Sequence, residues 1–385
     1  MRSTNLLRSF NFFYFSLFSL FLSFLPVYLS AQGISKTEIG WVIASGSLIG
    51  IISQPFWGVM SDRLKAPKKV MLWLLAASVI VGSIMFQTTQ LWGLFLMVGL
   101  VYFLYMPTDP LVESLNFQLS QKYQVGYGAV RMFGAMGYAV ASLLIGFAAN
   151  QWGMISLSYL FMGYGMITLL LAFGLEEAPV TSKPLKWQDL RQFFTGSRTI
   201  IFFLLVLIGA IPHRLNDIYL GLYVESLGGN VQLVGQAWFL MTLVEVLFFG
   251  LSQRMVKPGK ELMIIALAAG VYVLRFLLTA WSDSPVWVVG LQLLQGLTFV
   301  LFYTASIQYL YAIVPEEWKA TGQTVLAVLF FGISGIIGAV AGGWVFDHWG
   351  GRTLYLGMAG LSLAAAAFAL WAEARRRVTT RQKIG

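Results

Sequence analysis

Residues 57–69 read WGVMSDRLKAPKK, a basic stretch between two long apolar runs, and residues 252–260, SQRMVKPGK, repeat its second part between two more. Another pair of matches lies at nearly the same spacing, GFAANQWG at 146–153 and GWVFDHWG at 343–350. Two weak repeats at one offset indicate duplicated halves, a build expected where one half of a membrane bundle rocks against the other around a central site.

Apolar runs bounded by charge or by Gly and Pro give twelve spans, at about 8–30, 38–60, 70–86, 91–115, 128–150, 154–174, 199–224, 232–252, 262–281, 285–313, 321–346 and 351–373. Their lengths suit a hydrocarbon core about 30 Å thick. The 385 residues are 58% hydrophobic and only 11% charged, less than half the charge of an ordinary soluble domain. The first run is too long for a removable signal peptide and continues into PVYLSAQGIS without an evident cleavage site, so it reads as the first span. Zero cysteines exclude disulfides and thiolate chemistry, and two histidines leave little for a metal centre.

Lys and Arg place the chain in the membrane. With the N-terminus inside, the loops on that side hold twenty of the 25 basic residues, including Arg63, Lys65, Lys68 and Lys69, Lys183 to Arg198, Arg254 to Lys260, and the tail from Arg375 to Lys383. Positive loops stay cytoplasmic, so both termini are expected inside a bacterial cytoplasmic membrane. The +9 net charge thus follows from topology and gives no reason to expect a nucleic-acid partner. The hydrophilic stretch 176–198 separates 1–175 from 199–374, with KWQDLRQFF (186–194) as a possible short interfacial helix and 375–385 as a basic tail.

Seven charged residues fall inside spans: Asp109, Glu113, Arg131, Arg214, Asp217, Glu245 and Arg275. At ~3 kcal/mol for each charge near a helix centre, leaving all of them in lipid would cost on the order of 20 kcal/mol, so they face one another or water. Glu113 and Arg131 stand equally far from Lys122 in the loop joining spans 4 and 5, which lets them meet, and such a pair still offers oxygens and N–H donors to a polar ligand. Pro107 and Pro110 break span 4 just before Glu113. Asp109 either joins that site or satisfies backbone groups freed by the break. In span 7, His213, Arg214 and Asp217 share one turn; they either carry a proton or form a closed Arg214–Asp217 pair with His213 as a polar helix-end group. Glu245 and Arg275 stand alone on their spans and are expected to serve each other. Tyr138, two turns from Arg131, offers a ring for stacking.

WGVMSDRLKAPKK resembles the signature loop of the major facilitator superfamily, with Gly58, Asp62, Arg63, Lys68 and Lys69 at the matching positions. There the resemblance implies a charge latch on the cytoplasmic side. YGAVRMFGAMGY (127–138) resembles the span-5 motif of the lactose permease and of the nucleoside and phenylpropionate proton symporters. That resemblance implies substrate binding by Glu113 and Arg131, with Tyr138 where the sugar permease has a stacking tryptophan, and proton coupling at Arg275 in VLRF. Gln295, in LLQG, lies where many relatives have histidine. Gln does not titrate, so His213, Asp217 or Glu245 must carry the proton instead; four intramembrane acids against three arginines leave one acid free, and Asp217, beside His213 and Arg214, is the favoured carrier.

The expected fold is therefore an all-α membrane protein of twelve helices in two pseudo-symmetric six-helix bundles. The expected activity is secondary active transport of a small polar or aromatic organic solute, by proton symport. It needs no cofactor beyond a proton gradient, and its partners are the small-molecule substrate and the bilayer, around a monomer. A facilitator or an efflux antiporter has the same fold, although span 5 lacks the Gly-Pro motif typical of drug antiporters. Another class, an intramembrane serine protease, rests on GISG (332–335) with His213 or His348 as base; a non-transporting receptor has no positive motif. HExxH, Walker A and Rossmann glycine patterns are absent.

Overall fold

The computed structural model describes residues 2–177, 196–315 and 318–381. The stretch KWQDLRQFF and the last four residues lie outside them. No strand occurs among the described residues, and the helices run α1 (Arg2–Ala31), α2 (Lys36–Leu64), α3 (Pro67–Met85), α4 (Leu91–Tyr105), α5 (Thr108–Lys122), α6 (Tyr127–Trp152), α7 (Ser156–Gly174), α8 (Ser197–Ser226), α9 (Val231–Met255), α10 (Glu261–Trp281), α11 (Pro285–Leu291), α12 (Leu301–Ile313), α13 (Lys319–Ala327) and α14 (Ser334–Arg381). Among the described residues, eleven helical segments are long and apolar enough to cross a membrane. The last, Thr321–Arg376, is 56 residues long and is broken at Gly350, whose φ of 80° is not helical. Each side of the break is long enough to span, which accounts for the expected twelve.

Both sequence repeats mark the same structural events twice. In the first motif α2 ends at Leu64 and α9 at Met255, the matching position. The α2 end is a tight turn: Lys65 takes φ 49°, and Pro67 opens α3, where a missing N–H costs nothing. In the second motif α6 stops at Gly153 with φ 78°, as α14 breaks at Gly350 with φ 80°; only glycine adopts that conformation without strain.

Packing groups the chain into two compact units, Met1–Lys183 with Tyr219–Leu243, and Pro184–Ile218 with Val244–Gly385. In the first, α1 and α6 approach so closely that a Cβ on Gly137 would collide with the Phe12 carbonyl oxygen. Gly134 and Gly137 thus supply the small-residue face that lets two spans touch. Polar side chains of α1 bond to its neighbours: Asn11 and Asn116 of α5 exchange two side-chain hydrogen bonds of 2.7 Å, and Ser19 lies 2.9 Å from Ser142 of α6.

Each repeat loop is also tied to the end of its unit. In the first unit Lys68 donates to the carbonyl oxygens of Phe173, at 3.0 Å, and of Leu175, which satisfies the end of α7 and suits its dipole. Lys122 pairs with Glu176 nearby, and its ammonium holds the Glu176 carboxyl below the ordinary value. That brace is present at neutral pH and weakens as pH falls through the lowered pKa. In the second unit the tie runs the other way: Arg376 reaches back from α14 to the Gly259 carbonyl and to Glu261 at 3.5 Å.

Candidate functional site

Span 4 is interrupted as the prolines require: α4 ends at Tyr105, Pro107 caps α5, and α5 begins at Thr108. Thr108, not Asp109, satisfies the freed backbone, donating to the Tyr105 carbonyl at 2.6 Å. The Asp109 side chain has no hydrogen-bond partner among the described residues and lies one turn before Glu113.

Glu113 and Arg131 meet. Nε of Arg131 lies 2.8 Å from Oε1 of Glu113, and their side chains are 40% and 26% exposed. Tyr127, one turn before Arg131, donates its hydroxyl to Oε2 of Glu113. The guanidinium carbon stands 3.8 Å from the centroid of the Phe15 ring, close enough for cation–π attraction. The pair is held on three sides, by a second helix, a tyrosine and a ring from α1, while the ion pair itself uses only the Nε edge of the guanidinium. Tyr138 sits further along α6, its hydroxyl 2.7 Å from Ser23 and its ring 6.1 Å from that of Trp238. Seven residues at 1.5 Å each put Tyr138 about 10 Å from Arg131 along the helix.

The second unit holds a separate buried network. Asp217 Oδ2 lies 2.8 Å from Arg214 Nη1 and 3.4 Å from His213 Nε2; its Oδ1 and Arg214 Nε have no partner among the described residues. His213 Nδ1 lies 3.2 Å from the Tyr272 hydroxyl and 3.5 Å from Gln295 Nε2. The imidazole lies flat on Phe299, 4.4 Å between centroids at 1°, and is flanked by Phe330. Both rings sit on π-helical stretches, Gly296–Val300 and Val328–Ile333, a rare geometry found frequently at functional sites.

Glu245 and Arg275 do not pair directly. Arg275, fully buried, donates to Oε1 of Gln295 and Oε1 of Gln292, and to Thr298 at 3.2 Å. Glu245 accepts from Nε2 of the same Gln295 at 3.1 Å. The expectation that the two serve each other is corrected: an amide lies between them. Asn216 extends the network, taking a hydrogen bond from Tyr355 at 3.2 Å.

Sequence reasoning missed Tyr127, Phe15, Trp238, Gln292, Thr298 and Tyr272. Tyr127 and Gln292 carried a signal, one turn from Arg131 and from Gln295 respectively; Phe15 and Trp238 come from distant helices and carried none. GISG is not a nucleophile site: Ser334 is buried and donates to the Phe330 carbonyl, and His348 is engaged with the Trp344 carbonyl at 2.8 Å. In the basic loop, Asp62 and Arg63 are exposed and make no ion pair among the described residues, Lys69 is exposed, and Gly58 leaves open space at its Cα.

The family model described as "MFS_1 like family" matches residues 5–357. The chain is 26% identical to the uncharacterized transporter YwbF of Bacillus subtilis (strain 168), across 90% of this chain and 88% of that one. It is also 26% identical to the maltose permease of Geobacillus stearothermophilus, across 90% and 89%. The crystal structure of the nucleoside transporter NupG superimposes with a TM-score of 0.86 at 18% identity, covering 97% of this chain and 99% of that one, which fixes the fold. The repeated motifs, the spans and the family match agree: the chain belongs to the MFS_1 like family, a multi-pass membrane transporter of the major facilitator fold and not an enzyme.

Proposed function

We propose that the protein takes up a small, neutral, hydroxyl-bearing solute by proton symport across a bacterial cytoplasmic membrane, through alternating access by a chain of two six-span halves, 1–175 and 199–374. The Glu113–Arg131 pair carries this reading. Its charges already cancel, so a carboxylate ligand would meet Glu113 and Asp109 against a single guanidinium, whereas a diol finds both acceptors and donors. Tyr138 with Trp238, about 10 Å along α6, suits the apolar face of a sugar or a nucleobase, and both the maltose permease and the nucleoside transporter NupG are named for hydroxylated solutes. Proton coupling falls to the second network, with Glu245 as carrier in place of the Asp217 favoured by sequence: Asp217 already has Arg214 and His213, and Glu245 has only an amide.

Uptake into proteoliposomes tests this, with a labelled disaccharide, a nucleoside and an aryl carboxylate offered under an outside-acid gradient. Accumulation of the disaccharide or nucleoside above equilibrium, collapsing with a protonophore, is the expected result. Accumulation of the carboxylate alone, or dependence on sodium in place of protons, overturns the reading.

The loop of Gly58, Asp62, Arg63, Lys68 and Lys69 is proposed as the latch between access states. Asp62 has no ion-pair partner here among the described residues, so its charge contributes little in this arrangement, and its effect belongs to another one. Asp62→Asn is expected to shift the balance of inward-open and outward-open states while leaving affinity within each state unchanged. Because the chain has no native cysteine, single introduced cysteines on either side report accessibility cleanly; equal labelling in variant and parent would refute the latch.

A further inference from the structure

We infer that Gln295 is a positioning residue whose amide keeps Arg275 and Glu245 apart and thereby sets the pH range over which uptake is driven. The inference rests on the proton-symport reading above. Arg275 is fully buried, and every oxygen it reaches belongs to a neutral group, on Gln292, Gln295 and Thr298. A buried guanidinium without a carboxylate is costly, and closing on a nearby acid would relieve that cost. Glu245 is that acid, and Gln295 occupies the space between.

The amide has a polarity that suits only this place. Its oxygen faces the cation and its N–H groups face acceptors, Glu245 at 3.1 Å and His213 Nδ1 at 3.5 Å. One side chain thus uses its acceptor and both donors to join the α8, α9 and α10 arms of the network. The backbone supports the placement: a 3₁₀ turn over Gln292–Leu294 and a π-helical stretch over Gly296–Val300 bracket Gln295, bringing Gln292 and Gln295 together on Arg275. A titrating side chain at 295 would change its bonding with pH; glutamine holds one arrangement throughout and leaves protonation to Glu245. The charged and titratable groups facing this centre are His213, Arg214 and Asp217 from α8, Glu245 from α9, Tyr272 and Arg275 from α10, and Tyr355 from α14.

Without the amide, Arg275 and Glu245 close into a direct ion pair, and a paired carboxylate binds a proton only in more acidic medium. Gln295→Met, of similar length and unable to bridge, is expected to move half-maximal uptake to lower pH by about one unit and to cut gradient-driven accumulation about 10-fold, with counterflow exchange retained. Gln295→Asn, too short to reach both partners, gives the same signature should the first variant fold poorly. Gln292→Met removes a ligand of Arg275 that does not touch Glu245, and whatever it does to the rate, it is expected to move half-maximal uptake by less than Gln295→Met does. An unchanged profile and accumulation in both Gln295 variants, with pH-dependent wild-type uptake, overturns the positioning role alone. An equal shift in Gln292→Met also overturns it, because the effect would then lie in the solvation of Arg275. Wild-type uptake with no response to a proton gradient overturns the symport reading and this inference with it.

Discussion

Arg131→Ala is expected to abolish uptake, by at least about 100-fold, while the purified chain remains inserted, folded and monodisperse. The loss follows from what the guanidinium does: it balances Glu113 at 2.8 Å and supplies the charge-assisted donors that a diol would use, two or more such bonds at ~1.5–3 kcal/mol each. The fold is expected to survive because the residue left behind has other recourse. Glu113 keeps the Tyr127 hydroxyl and is part-exposed, so water or a proton can serve it. Phe15 loses a cation from its face yet stays packed against α6 at Gly134. Arg131→Lys separates charge from geometry: a lysine keeps the charge but loses the planar fork, so an intermediate rate is expected. Transport at the wild-type rate by folded Arg131→Ala protein would remove the binding-site assignment.

The fold was legible because its information is local. A span is a composition signal over about 20 residues, and the helix ends at Leu64 and Met255, like the glycine breaks at 153 and 350, are written into short repeated motifs. The Glu113–Arg131 pair was also legible, since two neighbouring antiparallel spans joined by one loop put equidistant residues side by side. The C-terminal network was not. Glu245 and Arg275 lie on sequential spans as well, yet a glutamine from the next span stands between them, and no spacing rule on α9 and α10 reports a side chain from a third element. Likewise Trp238 meets Tyr138 across a separation of about 100 residues, with no periodic trace in either helix. The choice of proton carrier shifts for the same reason: counting acids against arginines finds one acid in excess, but only geometry says which arginine each acid reaches.

That geometry gives the second large effect. Of the four intramembrane acids, Glu113 has Arg131 and Asp217 has Arg214; Asp109, one turn before Glu113, belongs with the substrate pair; Arg275 spends its donors on neutral oxygens, leaving Glu245 in the second network with an amide. A carboxyl bonded only to an amide can be neutral in one access state and ionised in another at modest cost, provided its exposure to water differs between the two. Glu245→Gln imitates the protonated acid and keeps an oxygen for Gln295, so the network stays intact. It is expected to abolish accumulation against a gradient while exchange of labelled for unlabelled substrate continues. Asp217→Asn is expected to behave differently. It strips Arg214, a part-buried cation, of its carboxylate at 2.8 Å, so thermal stability and every mode of transport should fall together. Measuring accumulation, exchange and melting temperature on both variants decides the assignment. Selective loss of accumulation in Asp217→Asn, with normal accumulation in Glu245→Gln, would return the proton to Asp217 and make the Gln295 bridge a structural tie between helices.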